Sequence, residues 1–178
     1  MPLPKEELYT IGDIYSLPEG ERAELIDGQI YDMAPPSRHH QEISMELSTA
    51  IQSYIRSKKG NCRVYAAPFA VQLDEDSHTY VEPDISVICD PNKLDERGCK
   101  GAPDWIIEIV SPASRRMDYY TKLFKYRTAG VREYWIVDPV KKLVMVYDFE
   151  NEDTEQYTFQ DSIKVGIYED LRIDFAEM

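Results

Sequence analysis

No uninterrupted apolar run in this 178-residue chain approaches the length of a bilayer-spanning helix, although 43% of its residues are hydrophobic. A membrane protein is thereby excluded and a soluble globular one expected. Cysteine is scarce and odd in number. Cys62, Cys89 and Cys99 form no CxxC pair, which argues against a disulfide framework and against a cysteine zinc site. All three are expected as reduced thiols of a cytoplasmic protein. The opening MPLPKEELYTIGD lacks the apolar core of an export signal. Histidine is also rare, and His39 and His78 offer no ligand spacing. Ser111 and Ser114 have no recognisable base partner, which removes a serine nucleophile. Repeats and low-complexity segments are missing. One domain over 1–178 is expected, large enough to bury a core.

Positive charge is the other shortage. Lysine and arginine number 20 against 33 acids, a net charge of -13, which by itself argues against a nucleic-acid enzyme. The deficit is uneven: residues 148–178 hold ten acids and two bases, for -8, and the remaining 147 residues carry only -5. Between Arg115 and Arg127 five bases face one acid. A local positive patch survives there.

What is present reads as a mixed α/β chain. Thr10 to Leu17 has a capping-box-like start, with Asp13 three residues after Thr10, and predicts a short helix. Arg22–Ile26 and Gln29–Met33 flank Asp27-Gly28, a hairpin signal. Ser37 caps a long helix through about Lys58, in which Ile43, Leu47, Ile51, Tyr54 and Ile55 recur at helical spacing. Cys62–Ala66 and Phe69–Leu73 read as short strands, and 74–78 as a charged turn. Ile85–Cys89 and Trp105–Val110 read as buried strands separated by a polar loop. A second helix runs from Ser114 to about Ala129 and ends at Gly130. Glu133–Val137 and Leu143–Phe149 follow as strands. The acidic remainder predicts one or two edge strands. The expected architecture is a mixed β-sheet flanked by helices, with an N-terminal β-hairpin and extra C-terminal strands.

Two of the buried runs carry carboxylates, Asp84 just before one and Glu108 inside the other. Burying an uncompensated carboxylate costs several kcal/mol or forces it to stay protonated. A divalent cation shared by the two would relieve that, because hard cations such as Mg²⁺ often take one or two carboxylates and leave the other positions to water and phosphate. The main-chain carbonyl of Ile109 is a plausible third ligand. Such a metal would lower the pKa of a bound water and stabilise charge on a phosphodiester. The plainer reading makes Asp84 a turn residue after Pro83 and Glu108 the partner of an arginine such as Arg115; both readings stay open on these residues alone. Lys122 shares a helical stripe with Arg115, Asp118 and Tyr126, away from an apolar centre of Met117, Tyr120 and Phe124, so periodicity reads it as a solvated lysine paired with Asp118. His40 near a helix start could contact phosphate or move a proton, or could be only packed or capping. Alternation points Glu24 outward.

Taken together, the segments ELIDGQIYDMAPPSRHHQ, VEPDISVICD and PDWIIEIVSPASRRMDYYTKLFKYRTAGVREYWIVDP resemble the Uma-type family of restriction endonucleases within the PD-(D/E)XK nuclease superfamily. The similarity runs from about Glu21 to Pro139. It implies a restriction-endonuclease-like core, with Asp84 and Glu108 as metal ligands and Mg²⁺ or Mn²⁺ as cofactor. The superfamily's lysine, two residues after the glutamate, is absent because Val110 stands there; the resemblance puts it at Lys122 on the following helix. Glu24 and His40 match further family positions. The expectation is a metal-dependent endonuclease on DNA, with Arg115, Arg116 and Lys125 on the DNA backbone and a homodimer as the assembly. The alternative is a catalytically inactive nuclease-fold protein whose acidic surface binds a basic protein partner.

Overall fold

The computed structural model describes residues 7–73, 75, 77–176 and 178. Asp74 and Asp76 of the expected charged turn, and the first six residues of the opening segment, lie outside them. Helix α1 (Ile11–Tyr15) is capped as its sequence demands, Thr10 N–H donating to Asp13 Oδ2 at 2.7 Å. Strands β1 (Ala23–Ile26) and β2 (Gln29–Asp32) form the hairpin around Asp27 and Gly28, whose φ values of 50° and 76° are the left-handed pair this tight turn requires. Helix α2 (Arg38–Ser57) starts at Ser37, which accepts His40 N–H, and buries Ile43, Leu47, Ile51 and Ile55.

Strands β3 (Arg63–Ala66), β4 (Val71–Gln72), β5 (Tyr80–Val81) and β6 (Ile85–Ile88) follow. The expected polar loop contains a small hairpin, β7 (Leu94–Asp95) and β8 (Gly98–Lys100). Next comes β9 (Trp105–Ile109), then a π-helical segment (Met117–Lys122) that runs straight into α3 (Leu123–Ala129) and stops at Gly130, φ 93°. The tail is built of β10 (Glu133–Asp138), β11 (Leu143–Asp148), β12 (Asp153–Thr158), β13 (Ser162–Lys164) and β14 (Arg172–Asp174).

Among the described residues the strands make two six-stranded mixed sheets, ordered β2-β1-β5-β4-β8-β7 and β12-β11-β10-β9-β6-β3, and β13 pairs with β14. β9 lies parallel to β10 and antiparallel to β6. Alternate residues of β9 therefore face opposite sides. Trp105, Ile107 and Ile109 pack with α2 and the tail; Ile106 and Val110 pack with Tyr126, Tyr134 and the other sheet. Glu108 shares that second face.

Three expectations are corrected. The acidic tail does more than add edge strands: Phe159, Ile163, Val165, Leu171, Ile173 and Phe175 are buried in the α2-side core, while most of its described acids are exposed. The face of the second helix is inverted, because Tyr120 and Phe124, expected inside, are 72% and 65% exposed, whereas Asp118, Lys122 and Tyr126 are buried. The cysteines are not all reduced: Cys62 and Cys89 form a disulfide, and only Cys99, buried, is free among the described residues. The cause is register. Arg63 pairs with Ile88 across β3 and β6, so the next positions out, Cys62 and Cys89, fall opposite each other. Thiol titration of the denatured, unreduced protein should accordingly find one free thiol, and three after reduction; three before reduction would remove the bridge.

Candidate active site

The site forms where β6 begins and β9 ends. Beyond the register pair Ile85–Ile107 the ladder is completed by side chains. Ile109 N–H donates to Asp84 Oδ2 at 2.6 Å, and Asp84 N–H donates to Glu108 Oε2 at 3.3 Å. Each carboxylate thus braces the other's strand. The other oxygen of Asp84 lies 3.1 Å from His40 Nε2, delivered by the first turn of α2. Burial disfavours the His40 cation, but the hydrogen bond and charge of Asp84 outweigh it and raise its pKa, with a smaller contribution from the Ile109 carbonyl. His40 Nδ1 is buried without a hydrogen-bond partner among the described residues.

Glu108, 3% exposed, has its Oε1 occupied twice, by Lys122 Nζ at 2.9 Å and by Tyr126 OH at 2.6 Å. Lys122 Nζ also lies 2.9 Å from both carboxylate oxygens of Glu24 and 3.8 Å from Asp118 Oδ1. Burial works against the lysine's charge; Glu108, Glu24 and Asp118 reverse this and hold its pKa well above the ordinary range. Burial drives Glu108 upward, only partly offset by Lys122. Asp118 is pushed up to about 6 by burial, with Lys122 opposing. Tyr126, raised well above its usual pKa by burial and by Glu108, stays a neutral donor.

The structure therefore brings together Glu24, His40, Asp84, Glu108 and Lys122, with the Ile109 carbonyl on the His40 side. The outward expectation for Glu24 is overturned. β1 lies inside its sheet, with α1 residues packed on one side and the Lys122 helix on the other, so neither face is wet and alternation carries no signal. Lys122 is not solvated, and Glu108 does not pair with Arg115. That arginine binds Asp138 Oδ2 at 2.6 Å. Lys125 is tied to Asp27, and Arg116 is exposed with no ion pair among the described residues. Asp118 and Tyr126 were missed as site members; their i, i+4 and i+8 spacing through Lys122 was the available signal.

Four carboxylates (Glu24, Asp84, Glu108, Asp118) share this space with Lys122 and His40. With all four ionised and both bases charged, two negative charges are left over. Two carboxylates and a carbonyl are the protein share of a typical Mg²⁺ site, and the uncompensated charge suits a divalent cation. Among the described residues no three His, Cys, Asp or Glu side chains form a ready-made metal cage, so water and substrate would supply the other ligands.

Two measurements test this electrostatic arrangement. Lys122→Met leaves buried carboxylates without their ammonium and should cost roughly 3–5 kcal/mol in denaturant unfolding; a loss under about 1 kcal/mol would contradict the buried network. The Asp118 carboxyl, raised from 3.8 to about 6, favours the fold fully below pH 3.8, and that contribution disappears as pH rises through 6. His40, raised from 6.5, acts in the same direction at higher pH. The metal-free protein should lose stability between pH 4 and 7, with a shallower slope in Asp118→Asn, at most about 1.4 kcal/mol per pH unit for this one group.

A solved structure from Anabaena variabilis ATCC 29413, described as "a putative nuclease belonging to DUF820", superimposes on this fold with a TM-score of 0.77 at 23% identity, covering 94% of this chain and 96% of that one. This likeness carries the fold. The uncharacterized proteins slr1290 and sll1609 of Synechocystis sp. (strain ATCC 27184 / PCC 6803 / Kazusa) are 28% identical over 128 residues and 26% identical over 121 residues, 71% and 66% of this chain. The matches span 66% and 67% of those relatives' own lengths. The profile of the Uma2 family, described as "Putative restriction endonuclease", matches residues 7–174. The chain belongs to the Uma2 family.

Proposed function

We propose that this protein is a divalent-metal-dependent endonuclease that hydrolyses phosphodiester bonds in DNA, carried by one restriction-endonuclease-like domain. The observation that carries the reading is the buried Lys122 ammonium, 2.9 Å from Glu108, on a site whose carboxylates outnumber its bases. Asp84, Glu108 and the Ile109 carbonyl would hold Mg²⁺ or Mn²⁺. Once bound, the cation would activate water and offset the charge that builds on phosphate.

The protein's own groups do the rest. Lys122 has three N–H donors and lies 2.9 Å from three carboxylate oxygens, both of Glu24 and Oε1 of Glu108, while Asp118 at 3.8 Å is beyond hydrogen-bond reach. A donor shared between the two Glu24 oxygens would turn to the attacking water or a non-bridging phosphate oxygen when substrate is present, where a buried cation is worth more than in bulk water. Glu24 and Asp118 keep the lysine protonated and aimed. Tyr126 fixes the Glu108 carboxylate from behind. His40 orients Asp84 and, when charged, adds a positive group for the phosphate.

The test is nicking of supercoiled plasmid with Mg²⁺ or Mn²⁺. Wild type should nick only when the metal is present, and Asp84→Asn, Glu108→Gln and Lys122→Gln should each lower the rate by at least about 100-fold, the scale of removing one donor to transition-state charge. A folded wild type that neither cleaves nor binds metal by calorimetry would leave the inactive nuclease fold with a protein partner as the better reading.

A further inference from the structure

We propose that Arg116, Lys141 and Lys142 form a phosphate-binding rim that seats a DNA duplex across the ends of β9 and β10. The proposal rests on the phosphodiester reading of the site and names the surface by which that site would receive its substrate.

Sheet register places these residues. β9 and β10 are parallel, Ile109 pairing with Val137, and Val110 N–H continues the ladder to the Val137 carbonyl at 2.8 Å. The strands therefore leave the sheet at the same end, the end occupied by Asp84, Glu108 and the first turn of α2. Two loops emerge there: Ser111–Arg116 after β9, and Pro139–Lys142 after β10. One fully buried residue ties them together. Asp138 Oδ2 accepts from Arg115 Nη1 at 2.6 Å, and its Oδ1 accepts the N–H groups of Val140 and Lys141 at 3.1 and 3.0 Å. Lys142 closes the turn in a left-handed conformation, φ 51°, and its carbonyl accepts Phe159 N–H. The lysines thus project from a braced turn, not from a loose one.

Pairing then separates these three bases from Arg115, Lys122 and Lys125. Arg115 is spent on Asp138, Lys122 on the buried carboxylates and Lys125 on Asp27. Arg116, Lys141 and Lys142 are exposed and have no ion pair among the described residues. Asp161, whose segment meets the turn through the Phe159 N–H bond to the Lys142 carbonyl, is held by the Thr158 N–H and hydroxyl. In a chain of net charge -13, three unpaired bases at the end of the sheet that holds the carboxylate site fit a polyanion laid over that site. Val140, 73% exposed between them, gives the turn an apolar tip to rest against sugar.

The experiment measures binding of a short fluorescein-labelled DNA duplex in EDTA, so that no cleavage occurs, over a salt series. Removing one base from a phosphate reduces the slope of log K against log salt by about 0.9. The triple variant R116Q/K141Q/K142Q should bind at least tenfold more weakly at low salt and flatten the slope by roughly 2–3, with unchanged thermal unfolding because all three side chains are exposed. R56Q/K59Q/K164Q, which removes three exposed bases outside the rim, serves with single K164Q as the control, and both should keep near-wild-type affinity and slope. A rim variant with the wild-type slope, a control variant that weakens as much, or a wild type that binds a duplex RNA but no DNA would overturn the rim. Asp84→Asn separates this from the catalytic reading: it should lose nicking yet keep the wild-type salt slope. If wild type never nicks but the rim variant still flattens the slope, catalysis falls and the rim stands.

Discussion

One buried ammonium holds the site end of this fold together. Lys122 reaches from its helix to Glu108 on β9 and Glu24 on β1, so a single cation joins the two sheets and the helix that lies against them. Taking these charges out of water costs several kcal/mol per ion, and an apolar cluster of the same volume would usually hold the elements together as well or better. Stability is therefore a poor reason for the arrangement. A site that needs a protonated lysine beside a carboxylate, away from competing water, is a better one.

That demand explains the orientation of the second helix. An ordinary amphipathic helix buries its apolar stripe. Here the polar stripe Asp118, Lys122, Tyr126 is drawn inward, and Tyr120 and Phe124 are left in solvent. The π-helical spacing of Met117–Lys122 admits one extra residue per turn and shifts the phase of everything before it, a distortion common at functional sites. Tyr134 completes the support by donating to the Asp118 carbonyl at 2.9 Å. The same strand that supplies Tyr134 ends in Asp138, so β10 braces the site from beneath and its rim from above.

Much of this could be read from the residues, and the rest failed for identifiable reasons. The hairpin around Asp27-Gly28, the long α2 stripe and the strands β9, β10 and β11 follow from turn chemistry and period. Asp84 and Glu108 stood out because a carboxylate in an apolar run is anomalous. Periodicity misjudged Lys122 and Glu24, because it assumes that each element has a wet side; β1 has none, and the helix turns its polar side in. Of the second sheet only the β1–β2 hairpin and the β4 segment were legible, since β5, β7 and β8 are only two or three residues long, too short for a period. The Cys62–Cys89 bridge depends on cross-strand register, which no local pattern reports. Only family resemblance pointed to the lysine, and only the three-dimensional structure shows what holds it.

Net charge was the least informative quantity. The last 31 residues carry -8, and most of their described acids are exposed while Phe159, Ile163, Val165, Ile173 and Phe175 of the same segment are buried, so the acids lie on the solvent side of a packed layer. Their field is screened within about a Debye length, 8–10 Å at physiological salt. What an incoming polyanion meets is decided locally, by which bases are already neutralised and which remain free. Arg115, Lys122 and Lys125, three of the five bases that made the Arg115–Arg127 segment look like a binding patch, are internal partners. A charge count along the sequence sees all of them as equal, whereas pairing in space divides them into those that build the site and those left to face a ligand.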